Sequence, residues 1–522
     1  MESAKVGDAR GEGTNVIGNA PLTAGLPFGN RMVLQRQKEI QLWGSGQPGR
    51  SITARFGSEV VGRAMVSADG SWSTILPPQE AARGLRLVVS DEYEQIEFND
   101  VAIGEVWIAG GQSNMEYFLA FDAERRAVLD GPMNPDIRFF DCPRTSYEGQ
   151  LAEKDFSRFG LWRSCTREDL PYFSAVAYYF AAELQSSLGV PVGVVGCNWG
   201  GTAASAWMSE EMLAGAEGGV WLEEYRAGIA GLDVERYAAD FRAEPLNHMT
   251  DPLKKSVLSL LLSPGFPRLA QKALLAVVGR QMKNMVVGPM HPWRPTGLYD
   301  TMLRCIAPYT ARGVIWYQGE SDAPHADIYA RVFGGMIQGW RTLWGDDLPF
   351  LFVQLAPFGE WMGSTGEAFP ELRRQQQLVA DTIPGAWMAS SSDAGMKWDI
   401  HPKHKRPIGR RLALLARRHL YGQKVLADPP EFLSAERTAD GIEIRLRVAG
   451  DLSLGRGRVP VEVRSPSGDV IAPTGIRVDG DRLLLAGSFP SGSTVRFAWS
   501  AYYRVNVVDA AGNPATPFLI RV

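Results

Sequence analysis

Cysteine is scarce, with four in 522 residues. Cys142, Cys165, Cys197 and Cys305 are widely spaced and fit neither a zinc pattern nor a disulfide framework, so they read as buried free thiols. There is no long cluster of Lys or Arg, and a net charge of -4 with a pI near 6.0 gives no sign of a nucleic-acid footprint. Long apolar runs are missing too. The longest, around Ser256 to Leu262, is far too short to span a bilayer. Met1 to Glu12 contains no apolar stretch of the kind a secretory leader needs. The expected location is therefore cytoplasmic as the sequence stands, and periplasmic or secreted if a leader has been removed. Internal repeats and low-complexity tracts are absent as well. What remains is a soluble globular composition, 45% hydrophobic and 21% charged, at a length that suggests roughly two to four domains. A neutral small molecule or a glycan stays open as partner.

The two ends read as β-rich and the middle as mixed. From about residue 31 to 100, alternating apolar residues such as Ile40 and Leu42, with an Asp69-Gly70 turn before Trp72, predict short antiparallel strands. From about 426 the pattern returns: Ile442, Ile444, Leu446 and Val448 alternate, and Asp479-Gly480 marks a hairpin. Between them, Val106 to Ile108, Val192 to Val195, Val314 to Trp316, Phe350 to Leu355 and Ala386 to Ala389 are candidate buried strands. Val176, Phe180, Leu184 and Leu188 form a helical stripe closed by Gly189, and Ile408, Leu412 and Leu415 form another that stops near Gly422. Strands alternating with helices imply a parallel sheet covered on both faces. A helix-leaning insertion at about 210–290, from Leu222 to Gln281, interrupts this rhythm.

The stretch Gly104-Glu-Val-Trp-Ile-Ala-Gly-Gly-Gln-Ser-Asn-Met-Glu116 presents one hydroxyl, that of Ser113, at the end of an apolar run. Ligands of open α/β sheets bind at the carboxyl ends of the strands, so a serine there suits nucleophilic work. A serine hydroxyl needs a base, normally a histidine oriented by a carboxylate. Among six histidines, His401 stands out in Trp398-Asp-Ile-His-Pro-Lys403, with Asp399 two residues earlier. In an extended loop both side chains project to the same side. The rival reading of that segment is a turn capped by Asp399 with a surface histidine. Two glycine-bearing loops follow predicted strands, Cys197-Asn-Trp-Gly-Gly-Thr202 and Trp316-Tyr-Gln-Gly-Glu-Ser-Asp322. A glycine N–H from the first, the Gln318 amide from the second and the backbone N–H of Ser113 are candidate donors for an oxyanion hole. Glu320 and Asp322 could instead form a carboxylate pair of the glycosidase kind, although a role in holding their own loop is the simpler expectation. Asp251, Lys254 and Lys255 in the insertion read as a solvated face.

These motifs resemble a known family. Phe28-Gly-Asn-Arg-Met-Val-Leu-Gln-Arg36, the Ser113 segment, Trp199-Gly-Gly-Thr202 with Ala206-Trp-Met-Ser209, Ile315-Trp-Tyr-Gln-Gly-Glu-Ser-Asp322, Asp399-Ile-His-Pro402 with Gly409-Arg-Arg-Leu412, and Asn513-Pro-Ala-Thr-Pro-Phe518 run in the order of the sialate O-acetylesterase-like carbohydrate esterases of the SGNH hydrolase superfamily. The resemblance implies that Ser113 is the nucleophile, His401 the general base and Asp399 its orienting acid. Gly200 or Gly201 and Gln318 would complete the oxyanion hole. The superfamily's Gly-x-Asn-Asp block is absent, and Gln318 stands where its asparagine would be. Gly201-Thr-Ala-Ala-Ser-Ala-Trp207 also departs from the proline- and glutamate-containing version of relatives. The implied fold is α/β, a flavodoxin-like three-layer α/β/α core over 101–425, with accessory β-sandwich modules at 1–100 and 426–522.

The expectation is thus a serine esterase, needing no metal or other cofactor, that removes O-acetyl groups from a carbohydrate. The sugar is a sialic acid or a plant cell-wall oligosaccharide such as xylan or xyloglucan. No nucleic-acid or membrane partner is expected, and the oligomeric state is open. The rivals are a glycan-binding protein with an inert core and a glycosidase using Glu320.

Overall fold

In the computed structural model the described residues are 20–153, 156, 158–243 and 285–522, with 253, 269–270 and 273–274 from the stretch between. Eight strands carry the architecture: β1 (Val33–Gln35), β2 (Gln95–Gly111), β3 (Ile137–Asp141), β4 (Trp162–Ser164), β5 (Val192–Asn198), β6 (Gly313–Tyr317), β7 (Phe350–Val353) and β8 (Ala386–Ala389). Their order across the main sheet is β4-β3-β5-β2-β6-β7-β8, with β1 paired to the middle of β2 at Ala102–Gly104. All neighbours from β3 to β8 in this order run parallel, and the edge strand β4 is antiparallel to β3. The fold is therefore mixed α/β around a mostly parallel sheet. Strands β3, β5, β6 and β7 are buried residue after residue apart from Asp141, the near-continuous apolar pattern expected where both faces are covered.

Helices α1 (Ser113–Glu116), α2 (Ala175–Leu188), α3 (Tyr329–Trp344), α4 (Phe369–Thr382) and α5 (Arg406–His419) pack around it. Of the predicted stripe, Val176, Phe180 and Leu184 are buried along α2 and Leu188 is half-buried at its end; Ser174 caps the helix through its Oγ and Gly189 ends it. Trp107 of β2 meets Phe180 of α2 with ring centroids 4.9 Å apart. Trp316 of β6, in register with Gly110, meets Phe333 and Trp340 of α3 at 5.9 and 5.6 Å. Trp107 and Gly110 are an odd number of residues apart, so these contacts lie on opposite faces of the sheet. Ile408, Leu412 and Leu415 are buried along α5, as their spacing predicts.

The strand expected at Val106 to Ile108 is far longer. It runs 17 residues from Gln95, pairing first with the antiparallel strand Ala82–Ser90 and then with β5 and β6. The strand passes through Asn99-Asp100 without a break. Asp100 takes φ 56° there, held by Arg138, whose guanidinium donates to its carbonyl and carboxylate. The boundary expected at residue 100 falls inside this strand.

At the C-terminal end two four-stranded antiparallel sheets share an apolar cluster of their own, with Ile442, Ile444, Leu446, Leu483, Val495 and Phe497 inside. The Asp479-Gly480 hairpin joins Gly475–Asp479 to Arg482–Ala486. In the insertion, helices Gly219–Gly228 and Val234–Ala243 are described; the apolar tract near Ser256, Asp251, Lys254 and Lys255 lie outside the described residues. Among the described residues no helix is long and apolar enough to cross a membrane.

Candidate active site

Three strands end level with one another. Asn198 of β5, Gly111 of β2 and Tyr317 of β6 are in register, so the loops that follow them emerge side by side at the carboxyl edge. Only glycine fits at 111: its φ is 131°, and a Cβ would lie 2.3 Å from the Tyr317 carbonyl oxygen. The chain then turns into α1, whose first residue is Ser113. Gln112 steadies that turn, its Oε1 accepting the backbone N–H of Ser321 at 3.2 Å.

His401 reaches this edge from the loop ahead of α5. Its Nε2 is 3.0 Å from Ser113 Oγ, and its Nδ1 is 3.1 Å from Asp399 Oδ1. The same carboxylate oxygen accepts the His401 backbone N–H at 2.9 Å, which fixes loop and ring together. Asp399 and His401 are both buried. Burial would raise the Asp399 carboxyl, but the hydrogen bond and charge of His401, with Lys403 Nζ 2.8 Å from Oδ2, hold it below the usual carboxylate range. Burial lowers the His401 imidazole below its ordinary value, opposed by Asp399 and aided by the charges of Lys403 and Lys405. The resting imidazole is thus neutral at neutral pH, as a proton acceptor must be. Of the turn-and-surface-histidine reading, Asp399 does cap the turn through the His401 backbone N–H, but the histidine is buried. His404 is the exposed histidine of the pair, 3.9 Å from Glu124.

The expected oxyanion donors are arranged differently from the sequence reading. Gln318 is fully buried; its Nε2 donates to the Thr202 carbonyl at 3.2 Å and to the Asp322 carboxylate, and its Oε1 accepts from Tyr329 at 3.1 Å. With both amide hydrogens bound internally, Gln318 is a loop-locking residue rather than a free donor. Gly200 does lie against the serine, since a Cβ there would come 3.3 Å from Ser113 Cβ. Its N–H, however, donates to Glu116 Oε2 at 2.5 Å, and Glu116 Oε1 pairs with Arg144 at 2.9 Å. Gly201 has φ 79°, and a Cβ would strike the Trp293 ring at 2.5 Å, so this position requires glycine. Trp293 Nε1 donates to the Gly200 carbonyl at 3.0 Å.

Several residues at the site carry no sequence signal of their own. Trp361, in the Glu360–Trp361 and Ser364–Thr365 hairpin, stands edge-on to His401 at 5.4 Å, and Tyr117 stacks on it at 6.2 Å. Beneath Ser113, Asn114 donates to Glu320 Oε1 at 2.5 Å and to the Ile400 carbonyl at 3.1 Å, and accepts from Lys405 Nζ. Burial pushes the Glu320 carboxyl up, against the Asn114 hydrogen bond and Lys405. Burial also pushes Asp322 up to about 7, against its bonds from Gln318 and the Ala204 N–H. Glu320 and Asp322 therefore face internal partners, as the loop-holding expectation has it. Among the described residues, no group of three or more His, Cys, Asp or Glu side chains is placed to hold a metal ion.

Residues 275–416 match the family model described as carbohydrate esterase, sialic acid-specific acetylesterase. The chain is 28% identical over 432 residues to the sialate O-acetylesterase of Rattus norvegicus, covering 76% of this chain and 73% of that protein. It is 26% identical over 449 residues to the Homo sapiens sialate O-acetylesterase, covering 78% and 74%. The crystal structure of a carbohydrate acetylesterase from Xanthomonas citri superposes with a TM-score of 0.73 at 27% identity, over 96% of this chain and 99% of that one.

Proposed function

Starting from a chain that is a carbohydrate esterase similar to the sialate O-acetylesterases, we propose that it cleaves O-acetyl groups from sugars through an acetyl-enzyme on Ser113. The observation that carries this reading is the unbroken line Ser113 Oγ, His401 Nε2, His401 Nδ1, Asp399 Oδ1, with steps of 3.0 and 3.1 Å. Ser113 Oγ attacks the acetyl carbonyl carbon while His401 Nε2 takes the hydroxyl proton, and Asp399 stabilises the imidazolium that forms. The tetrahedral intermediate collapses as His401 protonates the departing sugar oxygen. Water, activated by the same imidazole, then attacks the acetyl-enzyme and releases acetate. The first N–H groups of a helix lack intrahelical acceptors, so the Ser113 N–H is available to the oxyanion. The Gly201 N–H is its proposed partner, because those of Gly200 and Gln318 are already engaged.

A sialic acid is the first sugar to test, since the relatives above carry that name. Acetylated xylan and xyloglucan fragments come second, because Trp398 stands 53% exposed directly before Asp399 and offers an aromatic face on which a sugar ring can rest. The same reading takes the core at 101–425 as the flavodoxin-like, three-layer SGNH arrangement. It takes the strands from residue 20 to the first part of β2, and those of 426–522, as β-sandwich modules, with β2 shared between the first of these and the core. Helices on both faces of the parallel strands and the separate C-terminal apolar cluster support it.

Ser113→Ala removes one small hydroxyl and should leave the melting curve unchanged while acetate release falls by roughly three orders of magnitude or more. Turnover near wild type in the folded variant would remove Ser113 from its role.

A further inference from the structure

Lys405 is wholly buried and has no part in the chemistry above. Burying an ammonium group is costly unless its surroundings compensate, so its position calls for an explanation. Its Nζ donates to Asn114 Oδ1 and lies 4.7 Å from the Tyr117 ring centroid and 5.2 Å from that of Tyr317. Asn114 follows Ser113 in the chain, and its Nδ2 donates to the carbonyl of Ile400, the residue before His401, and to Glu320. One amide thus ties the nucleophile turn, the histidine loop and the loop after β6 into a single unit, and Lys405 holds the acceptor end of that amide. We propose that Lys405, acting through Asn114, is a positioning residue that keeps Ser113 in register with His401 and sets a positive charge behind the imidazole. The inference rests on reading Ser113, His401 and Asp399 as the reacting triad.

The charges around both groups settle the sign of the effect. Lys405 faces Glu320, Lys403, Asp399 and Asp122, whose Oδ2 accepts the Lys405 backbone N–H at 2.9 Å. His401 faces Asp399, Lys403 and Lys405, with Ser113, Tyr117 and Trp361 in contact. Burial pushes Lys405 down to about 7, against the charges of Glu320, Asp122 and Asp399. It is therefore charged throughout the acid range in which His401 takes up its proton. A positive charge opposes that uptake, so removing it lets His401 stay protonated to higher pH.

The test is the full chain carrying Lys405→Met, and the double variant Lys405→Met with Glu320→Gln, which removes the partner charge should the single variant fold poorly. Hydrolysis of an aryl acetate is followed from acid to alkaline pH. The expected result is kcat lowered by about tenfold with KM nearly unchanged, and an acid limb of kcat/KM moved upward by about half a unit or more. Wild-type kinetics in a folded variant overturn the proposal. So does a loss of kcat by one factor at every pH with the limb unmoved, which is what a merely structural lysine would give. Ser113→Ala is measured alongside. If it keeps activity, the triad reading falls and this inference with it; if it is inactive while Lys405→Met behaves as wild type, the positioning role alone falls.

Discussion

An amide with both hydrogens bound inside the protein cannot serve a transition state without breaking one of those bonds. Gln318 is in that position, between Thr202, Asp322 and Tyr329. Gln318→Ala should therefore lower the melting temperature, because buried partners left unpaired cost about 1–3 kcal/mol each, while kcat per folded molecule stays within a few-fold of wild type. Steady-state kinetics beside a melting curve decide the matter, and a large loss of kcat in a fully folded variant would restore the glutamine as a donor. At this scale the sequence was readable where chemistry demanded a rare residue in a short spacing. Ser113, His401 and Asp399 meet as expected, since a serine at a strand end and an Asp-x-His loop each restrict the geometry. Lys405, Asn114 and Trp361 were not readable. Their roles come from contacts between segments distant in the chain, and nothing local distinguishes a buried lysine from a surface one.

The elements that aim the site are joined by their caps. Ser174 accepts the Ala177 N–H at the start of α2 and donates through the same Oγ to the Met115 carbonyl of α1 at 2.6 Å. Ser174→Ala should cost about 0.5–2 kcal/mol as a lost N-cap. It should also lower kcat a few-fold by loosening the helix that begins with Ser113. A melting shift without any kinetic effect would show that α1 holds its position independently. Element types were legible for α2, α5 and the parallel strands because their periods are clear. Strand length was not: β2 continues through Asn99-Asp100 because Arg138 of β3 stabilises an unusual backbone there, a tertiary cause that no local pattern encodes.

Across the whole molecule, a fully buried arginine ties the C-terminal segment at Ser500 and Ala501 to the region of the site. Arg373 of α4 donates to the carbonyls of Leu355 and Ala356 at 2.9 and 3.2 Å, and to those of Ser500 and Ala501 at 3.0 and 3.1 Å. The first pair begins the segment that leads to Trp361 beside His401. Arg373→Met should destabilise the protein by roughly 2 kcal/mol or more, since the buried Leu355 and Ala356 carbonyls lose their donor. Amide hydrogen exchange should rise together in both segments, and exchange confined to one of them would mean that they are held independently.

Strand β2 belongs to the N-terminal sheet at its start and delivers Ser113 at its end, with no linker between. Side chains along a strand alternate strictly, so losing or gaining one residue within it turns every later side chain to the opposite face. In genetic terms, deletion of a single codon between positions 102 and 111, past the irregular backbone at Asp100, should silence the enzyme as thoroughly as a nonsense mutation, while a codon lost from an exposed turn such as the one at Asp69 should pass almost unnoticed.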